Sequence, residues 1–463
     1  MRITKHEIRV AMWSASRFLG VSLIALLLLL LVGIPTARGQ GQSDLRQITE
    51  ELFKSLEFRN IGPAIMGGRI DDFAVVESDP RIIYVATASG GVWKTTNGGV
   101  TWEPIFDREA VSSIGDVTVA PSNPNIVWVG TGEPNNRQSS SWGNGVYKSL
   151  DGGKTWQHMG LSGTHHIGRI VIDPTNPDIV YVAALGRLWG PNRERGLFKT
   201  TDGGKTWTCV LFINEDTGVV DVAMDPQSPN ILYAAAYQRR RTAYGFNGGG
   251  PHSGLYKSVD GGATWQKLTR GLPTGDTGRI GLDIYRRDPR IVYAIIENKN
   301  GGVFRSEDRG ETWTKMSDVN PRPSYYSQIR IDPNNDQRIW VMGAPMYYSE
   351  DGGRTFRTNW VTRIHGDFHA MWINPANSDH IVLGSDGGIH ISYDRGRTWD
   401  FINTLPLGQF YEICYDMRKP YYVYGGLQDN GSWMGPSRTL YTVGITNEDW
   451  IRIGAVSYTH LRA

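Results

Sequence analysis

The polar and apolar positions of this 463-residue chain fall into short runs. From about residue 52 to residue 454, runs of β-branched and aromatic residues alternate with turns rich in Gly, Pro, Asp and Asn. Such runs predict β-strands, and no stretch after the N-terminus has the 3.6-residue period of an amphipathic helix. The pattern therefore predicts an all-β domain.

One octapeptide of the form [S/T]-x-[D/N]-x-G-x-T-[W/F] recurs seven times, and its closing aromatic residues lie 43 to 58 residues apart. Its Asp or Asn side chain can accept hydrogen bonds from backbone N–H groups of the same turn, and its Gly supplies a positive φ. Each copy therefore predicts a tight turn between two strands. The copies span residues 95–102, 149–156, 200–207, 258–265, 306–313, 349–356 and 392–399.

A second repeated signal precedes each octapeptide by about 20 residues, as in Asp79-Pro80 followed by Ile83-Tyr84. Proline breaks one strand, and the apolar run after it begins the next. Each repeat thus contains four strands, A to D, with a proline turn between A and B and the octapeptide between C and D. Eight proline turns and seven octapeptides predict a β-propeller of seven to eight four-stranded blades over residues 52–454.

The octapeptide resembles the Asp-box, also called the bacterial neuraminidase repeat, of sialidases, xyloglucanase-type glycoside hydrolases and sortilin-type propellers. The seven copies cover most of the chain, so the resemblance implies a propeller of this kind. In those families the box is a fold element that lies away from the ligand. The resemblance therefore implies a fold and leaves the activity open.

Composition and charge narrow the classes of partner. The chain is rich in Gly, Trp and Tyr (56, 16 and 21 residues), and its net charge is +2. The basic run 239–241 is too short to form a phosphate-binding surface. We expect no nucleic-acid partner and no cofactor.

The N-terminus has the pattern of a targeting segment. Basic residues precede an apolar run over 18–34, and the small residues Ala37 and Gly39 fit a signal-peptidase site. We predict a signal peptide over 1–39, a linker over 40–51 and a secreted or periplasmic protein. An uncleaved anchor is the alternative, and it would be the chain's contact with a membrane.

The C-terminus and the two cysteines lead to further expectations. Residues 455–463 resemble translated adapter read-through, so we expect a non-native tail there. We also expect the chain to be an N-terminal fragment of a longer protein and to contain the first of two propellers.

Cys209 and Cys414 fall in strand D of the third repeat and strand A of the eighth. These positions predict two unpaired, buried thiols.

Topology places the candidate binding residues on the face opposite the octapeptides, where the B–C and D–A connections emerge. Loops are where binding residues concentrate, and the B–C loops over 131–145, 185–196 and 237–254 are long. We expect a peptide, protein or glycan ligand there. In the alternative interpretation, the aromatic residues pack on neighbouring blades and the polar residues fill the channel with water and ion pairs. The candidate ligand-binding residues are Glu133, Arg137, Trp142, His166, Arg169, Trp189, Arg193, Arg279, Asp367, His369 and Asp386.

The segment 365–369 is the sharpest cluster of possible metal ligands. Alternation along a strand would place His365, Asp367 and His369 on one side, a spacing that could hold a metal. No fourth ligand is evident in the sequence, so we predict no metal site.

The resemblance to enzymes depends on particular positions. The stretch from Phe58 to Pro63 differs from the Phe-Arg-Ile-Pro motif of sialidases by two extra residues, and no Tyr/Glu pair is identified. In xyloglucanase-type hydrolases the first catalytic Asp lies two residues before a Gly-Gly, where this chain has Ala88. Inversion requires two carboxyl groups about 6.5–9.5 Å apart, so Glu133, Asp367 or Asp386 would have to substitute. We favour a sortilin-like binding module, with a xyloglucanase-like glycoside hydrolase as the alternative.

Overall fold

The computed structural model of the protein describes residues 59–137, 140–359, 361 and 364–454. The predicted signal peptide, linker and tail lie outside these residues. Within the described part of the chain, no helix is long and apolar enough to cross a membrane. Helical structure there consists of two short 3-10 turns, Ser162–Thr164 and Asn447–Asp449.

The strands form eight consecutive antiparallel sheets, which confirms the all-β prediction. Blade 1 contains β1 (Ile70–Val75), β2 (Ile83–Thr87), β3 (Val92–Thr95) and β4 (Glu103–Pro104). Blade 2 contains β5 (Ile114–Ala120), β6 (Asn123–Thr131), β7 (Val146–Ser149) and β8 (Gln157–His158). Blade 3 contains β9 (Ile167–Ile172), β10 (Val180–Ala184), β11 (Gly196–Thr200) and β12 (Thr208–Leu211).

Blade 4 carries an inserted hairpin in its B–C loop. Its strands are β13 (Thr217–Met224) and β14 (Leu232–Gln238), then the hairpin of β15 (Arg240–Thr242) and β16 (Gly245–Asn247), then β17 (Gly254–Ser258) and β18 (Gln266–Lys267). Blade 5 contains β19 (Ile280–Ile284), β20 (Val292–Ile296), β21 (Gly302–Ser306) and β22 (Thr314–Ser317).

The later sheets follow the same order. Blade 6 has three described strands, β23 (Ile329–Asp332), β24 (Asn335–Val341) and β25 (Tyr347–Ser349). Blade 7 contains β26 (Phe368–Ile373), β27 (Ile381–Ser385), β28 (Gly388–Ser392) and β29 (Asp400–Phe401). The eighth sheet contains β30 (Phe410–Tyr415), β31 (Tyr422–Leu427), β32 (Gly431–Pro436) and β33 (Ile451–Gly454).

Seven of the sheets form the closed ring. The innermost strand of blade 7, β26, packs against β1 of blade 1, and side chains of both blades share one core, with Ile70 beside Val382. Blade 7 has its own strand D, β29, and no other described strand joins its sheet. The eighth sheet forms a separate small core around Leu427, Trp433 and Trp450.

The seven octapeptides are the C–D turns, and they share a face with the A–B turns, as predicted. In each blade the fourth residue of the octapeptide donates its backbone N–H to a carbonyl of the A–B turn. This residue is a Gly in five blades, as in Gly98 to Arg81, and an Arg in blades 5 and 7, as in Arg309 to Arg290. We call this side the turn face and the opposite side the long-loop face. Neighbouring blades are joined here too, since Tyr84 of β2 donates to the Gly152 carbonyl of blade 2 at 3.0 Å.

The bonds within each octapeptide follow the predicted chemistry. Asp151 accepts from the Thr155 backbone N–H at 2.9 Å and from the Thr155 hydroxyl at 2.6 Å. Among the closing aromatic residues, Trp313 is buried and Trp156 is half-buried. The Trp156 indole donates to the Ile105 carbonyl of the preceding blade.

Both cysteines are unpaired, as expected, but neither is buried. Cys209 is exposed on β12 and Cys414 is half-buried on β30. Strand D forms the outer edge of a blade, and β30 does not line the channel because the eighth sheet stands outside the ring. The prediction of burial was therefore wrong for both thiols.

Candidate functional site

Exposed aromatic side chains project from two loops of the long-loop face. Trp142 is 67% exposed in loop 131–145, and Trp189 is 52% exposed in loop 185–196. Both loops are B–C connections, of blades 2 and 3, so they emerge on the side predicted to bind ligand. The alternative interpretation required these indoles to pack on neighbouring blades. Both are instead exposed to solvent.

A buried arginine shapes loop 185–196 from inside. The Arg195 guanidinium donates to the carbonyl oxygens of Leu185 at 2.8 Å and Gly190 at 3.0 Å, and also to that of Arg187. A loop wrapped around one guanidinium in this way keeps its backbone groups satisfied. The side chains of Arg187 and Trp189 are left facing solvent.

A second buried arginine fixes loop 131–145 to blade 4. Arg239 donates to the Pro134 carbonyl at 3.3 Å and to the Asn136 side-chain oxygen. Asn136 in turn donates to the Tyr237 hydroxyl at 2.7 Å and to the Ser324 carbonyl at 2.9 Å. The base of this loop is therefore held by polar bonds to blade 4 and to the connection before blade 6.

An ion-pair network closes the channel beneath these loops. Arg69 binds both carboxylate oxygens of Asp386 at 2.7 and 2.8 Å and one oxygen of Glu133 at 2.8 Å. His369 Nε2 donates to Asp386 at 2.9 Å. Burial opposes ionisation of Asp386, but the bonds from Arg69 and His369 outweigh it and hold the pKa of Asp386 below its ordinary value.

Two further candidate residues, at the mouth of the channel under the long loops, hold loop 131–145 in place. Arg279 donates to the Asn135 side-chain oxygen at 3.1 Å and to the Tyr325 carbonyl at 2.9 Å. His166 Nδ1 bonds the Glu133 carbonyl at 2.8 Å, and burial lowers the pKa of His166 well below its ordinary value. Both side chains are buried. They serve the channel-filling role that the sequence left as an alternative.

Arg169 lies deeper in the channel, away from the mouth. Its guanidinium contacts three carboxylates, those of Asp72 at 3.4 Å, Asp116 at 3.2 Å and Asp221 at 3.3 Å. Asp116 also accepts from the Ile170 backbone N–H of the next blade at 3.0 Å. Because these bonds join blades across the channel, Arg169 has a structural role.

Asp367 differs from the other candidate carboxylates. Glu133 and Asp386 are buried and bound by Arg69, whereas Asp367 is half-buried and makes no ion pair with any described residue. The Tyr326 hydroxyl donates to it. Its φ of 59° lies in the left-handed region, where a residue with a Cβ is held only at an energetic cost.

The predicted strand geometry of segment 365–369 was wrong. Strand β26 begins at Phe368, so His365 and Asp367 precede it. His365 Nε2 donates to the Asp429 carbonyl at 3.0 Å, whereas His369 Nε2 faces Asp386. The three side chains therefore have different partners: Asp367 is bonded by the Tyr326 hydroxyl, and the two histidines bond groups elsewhere.

Asp71 is a mouth residue that sequence analysis missed. Its two carboxylate oxygens are buried and have no hydrogen-bond partner in the described part of the chain. Burial, with the charge of Glu133 second, raises the pKa of Asp71 well above its ordinary value. The residue lines a cavity of about 20 Å³ with Asn135 and Arg279, enough for one water molecule. The one sign of this residue in the sequence is that it belongs to a pair of adjacent acidic residues in strand A of the first repeat.

The β31–β32 turn of the eighth sheet borders the mouth. Arg137 Nη2 donates to the Gln428 side chain at 3.0 Å, and Asn430 donates to the Asp386 carbonyl at 2.9 Å.

Arg193 lies away from the mouth, at the outer rim, where it is exposed and paired with Glu215 at 2.9 Å. The predicted residues therefore divide into a rim set, a mouth set and the deeper Arg169. The rim set contains Trp142, Trp189 and Arg193, and the mouth set contains Glu133, Arg137, His166, Arg279, Asp367, His369 and Asp386.

Comparison with known proteins identifies the type of propeller. The Sortilin-Vps10 family, described as sortilin, neurotensin receptor 3, matches residues 144–299. A xyloglucanase of Paenibacillus sp. is 24% identical over 341 residues, covering 65% of this chain and 32% of that protein. A xyloglucanase of Hypocrea jecorina is 24% identical over 436 residues, covering 82% of this chain and 46% of that protein.

A solved structure agrees with these sequence matches. The xyloglucanase from Xanthomonas campestris superposes with a TM-score of 0.59 at 16% identity, covering 80% of this chain and 59% of that one. At this identity the likeness concerns the fold alone. The chain spans about a third of the length of the first curated xyloglucanases that it matches.

Proposed function

The chain is a β-propeller of the type found in sortilin and in xyloglucanases, and we propose that it binds a glycan chain across its long-loop face and is a glycoside hydrolase of the xyloglucanase type. The sequence alone favoured a sortilin-like binding module. The matches with bacterial and fungal xyloglucanases over most of the chain support the hydrolase alternative instead.

The rim of the long-loop face supports the choice of a glycan. Trp142 and Trp189 present exposed indoles at this rim, and a flat apolar ring can cover the apolar face of a sugar while the sugar hydroxyls bond polar neighbours. The rigidity that Arg195 and Arg239 give to these loops lowers the entropic cost of binding. In this proposal the two indoles are stacking platforms.

Asp367 is the observation that carries the hydrolytic part of the proposal. A glycoside hydrolase needs a carboxyl group that reaches the substrate and is free to exchange a proton. Glu133 and Asp386 are held by Arg69, and Asp71 is enclosed. Asp367 is half-exposed at the mouth, bonded by the Tyr326 hydroxyl and strained in its backbone. Its role would be that of the acid or base at the scissile bond.

Glycan binding without cleavage is the second candidate, and Ala88 favours it. Ala88 is buried at the position where the resemblance to xyloglucanases places the first catalytic Asp. Inversion requires a pair of carboxyl groups, and Asp367 alone does not supply it.

Binding of a peptide is a further candidate function, since the sortilin match covers two of the three long loops. In each case the predicted signal peptide would place the protein outside the cytoplasm.

Xyloglucan cleavage by the purified protein tests this proposal. We expect retardation in a xyloglucan gel and release of reducing ends, and Asp367→Asn is expected to abolish release while leaving retardation within about threefold. Asp178→Asn, an exposed change on the turn face, is the control and leaves both unchanged. Retardation without release in the wild type would select the binding candidate. If neither occurs with xyloglucan or another β-glucan, the proposal fails.

A further inference from the structure

The long loops of blades 3 and 4 carry a concentration of positive charge. Loops 185–196 and 237–254 contain six arginines and one acidic residue, Glu194. The adjoining turn adds Glu215 and Asp216, which pair with Arg193 and Arg240. The local excess is thus three positive charges in a chain whose net charge is +2. We call this group the arginine patch: Arg187, Arg193, Arg195, Arg239, Arg240 and Arg241.

Two members of the arginine patch are fully buried, and neither bonds a carboxylate of any described residue. The hydrogen bonds of Arg195 and Arg239 go to carbonyl and amide oxygens. Among the described residues, the Nε of Arg195 and the Nε and Nη2 of Arg239 have no hydrogen-bond partner. A buried charge that no opposite charge compensates is costly. Such groups therefore favour an anion nearby.

The pKa values of these groups agree with a positive field that is only partly compensated. Burial lowers the pKa of Arg195 to about 10, although the charge of Asp216 opposes this shift. Burial and then the charge of Arg195 lower the pKa of Arg239 to about 9. Positive charges in a low-dielectric region attract anions to the surface above them.

The surface above the buried pair presents groups that suit an acidic sugar. Arg187 is exposed and makes no ion pair with any described residue, and it lies two positions from Trp189. Loop 185–196 is joined to the blade 4 hairpin, because Arg241 donates its backbone N–H to the Leu188 carbonyl at 2.9 Å. An arginine fork binds a carboxylate through paired hydrogen bonds, and the indole offers a stacking face.

We propose that the arginine patch is a subsite for uronate residues of the bound glycan, so that a glycan carrying free uronates binds more tightly than the same glycan without their charge. The inference rests on the proposed glycan-binding function and names its substrate class. Arg187 would bind the uronate carboxylate, Trp189 would stack on the sugar ring, and the buried Arg195 and Arg239 would supply the field. An acidic peptide is the competing occupant of the same charge.

Calorimetric titration with an oligogalacturonate tests the proposal, because its fully methyl-esterified form has the same backbone without charge. We expect the free oligogalacturonate to bind at least tenfold more tightly than the ester at low salt, and the difference to shrink as salt is raised. Arg187→Ala is expected to remove about tenfold of the affinity for the acid and to leave the ester unaffected. Arg397→Ala, an exposed arginine on the turn face, is the control and changes neither.

Three other results of these titrations would contradict the proposal in different ways. Equal affinity for the acid, the ester and neutral xyloglucan would overturn selectivity but leave the proposed glycan function standing. Binding of poly-glutamate with no binding of any glycan would overturn both and identify an acidic peptide as the ligand. A loss of acid binding in Arg397→Ala equal to that in Arg187→Ala would show non-specific attraction and overturn the patch.

Discussion

Asp151 shows how much a single position can be predicted from its neighbours in sequence. Its partners, Ser149, Lys154 and Thr155, lie within four residues, so the octapeptide alone predicted its bonds. Arg69 shows the opposite case, since its partners Glu133 and Asp386 are 64 and 317 residues away. Pairing over such separations depends on how blades meet around the ring, and spacing in one sequence does not predict it.

Removing one turn carboxylate should destabilise the propeller locally. Asp151→Ala leaves the N–H groups of Lys154 and Thr155 without their acceptor, so we expect the free energy of unfolding to fall by about 1 kcal/mol or more. Asp151→Asn is the matched control, because Asn97 holds the equivalent place in blade 1. Urea denaturation measures both. Equal losses for Ala and Asn would contradict the hydrogen-bond explanation.

The same carboxylates predict a loss of stability in acid. Hydrogen bonds from Thr155 lower the pKa of Asp151 to about 2, and Asp260 and Asp394 are likewise lowered to about 2. A carboxyl whose pKa is lower in the folded state stabilises fully above its unfolded pKa, near 4, and less as pH falls through 2. We expect the wild type to lose melting temperature over that window, and Asp151→Asn to lose less. An identical pH dependence for the two would contradict this.

At the scale of elements, strand and turn positions were predictable and loop conformation was not. The A–B and C–D turns follow from proline and octapeptide patterns that act locally. The order of loop 185–196 instead depends on Arg195, whose buried guanidinium bonds three carbonyls of the same loop. Arginine in a polar loop is ordinarily solvated, so the sequence carried no sign that this one is enclosed.

Arg195→Ala should release loop 185–196. The lost bonds leave buried carbonyls without a donor, so we expect about 2–3 kcal/mol of destabilisation and faster tryptic cleavage after Arg187 and Arg193. Arg193→Ala, an exposed arginine of the same loop, is the control and should cost less than about 1 kcal/mol. Chemical denaturation and a proteolysis time course measure both effects. Equal behaviour of the two variants would show that Arg195 does not organise the loop.

At the scale of the whole molecule, the repeat count predicted the number of sheets but not which of them form the ring. Eight proline turns gave eight sheets, and packing of β26 on β1 closes the ring at seven. Repeats of one kind look alike in sequence whether they lie inside a ring or beside it. The closure is decided by side-chain packing between the first and seventh blades, with Ile70, Phe73 and Val382 in one core.

The ring also explains why the candidate site divides in two. Polar residues on the innermost strands and their connections converge on the channel and neutralise one another there, as Arg69 and Asp386 do. Residues on long loops are left to face solvent, as Trp142 and Trp189 do. The central claim is therefore that glycans are held at the rim, above a mouth whose buried charges are mainly structural.

The affinity of the double variant Trp142→Ala/Trp189→Ala for xyloglucan and oligogalacturonate tests that claim most directly. Tyr393→Ala removes a comparably exposed aromatic ring, 61% accessible, from the turn face and is the control. We expect the double variant to lose at least tenfold in affinity for whichever glycan the wild type binds, with its melting temperature unchanged, and Tyr393→Ala to bind as the wild type does. Undiminished glycan affinity in the folded double variant would contradict the assignment of the long-loop rim as the binding site.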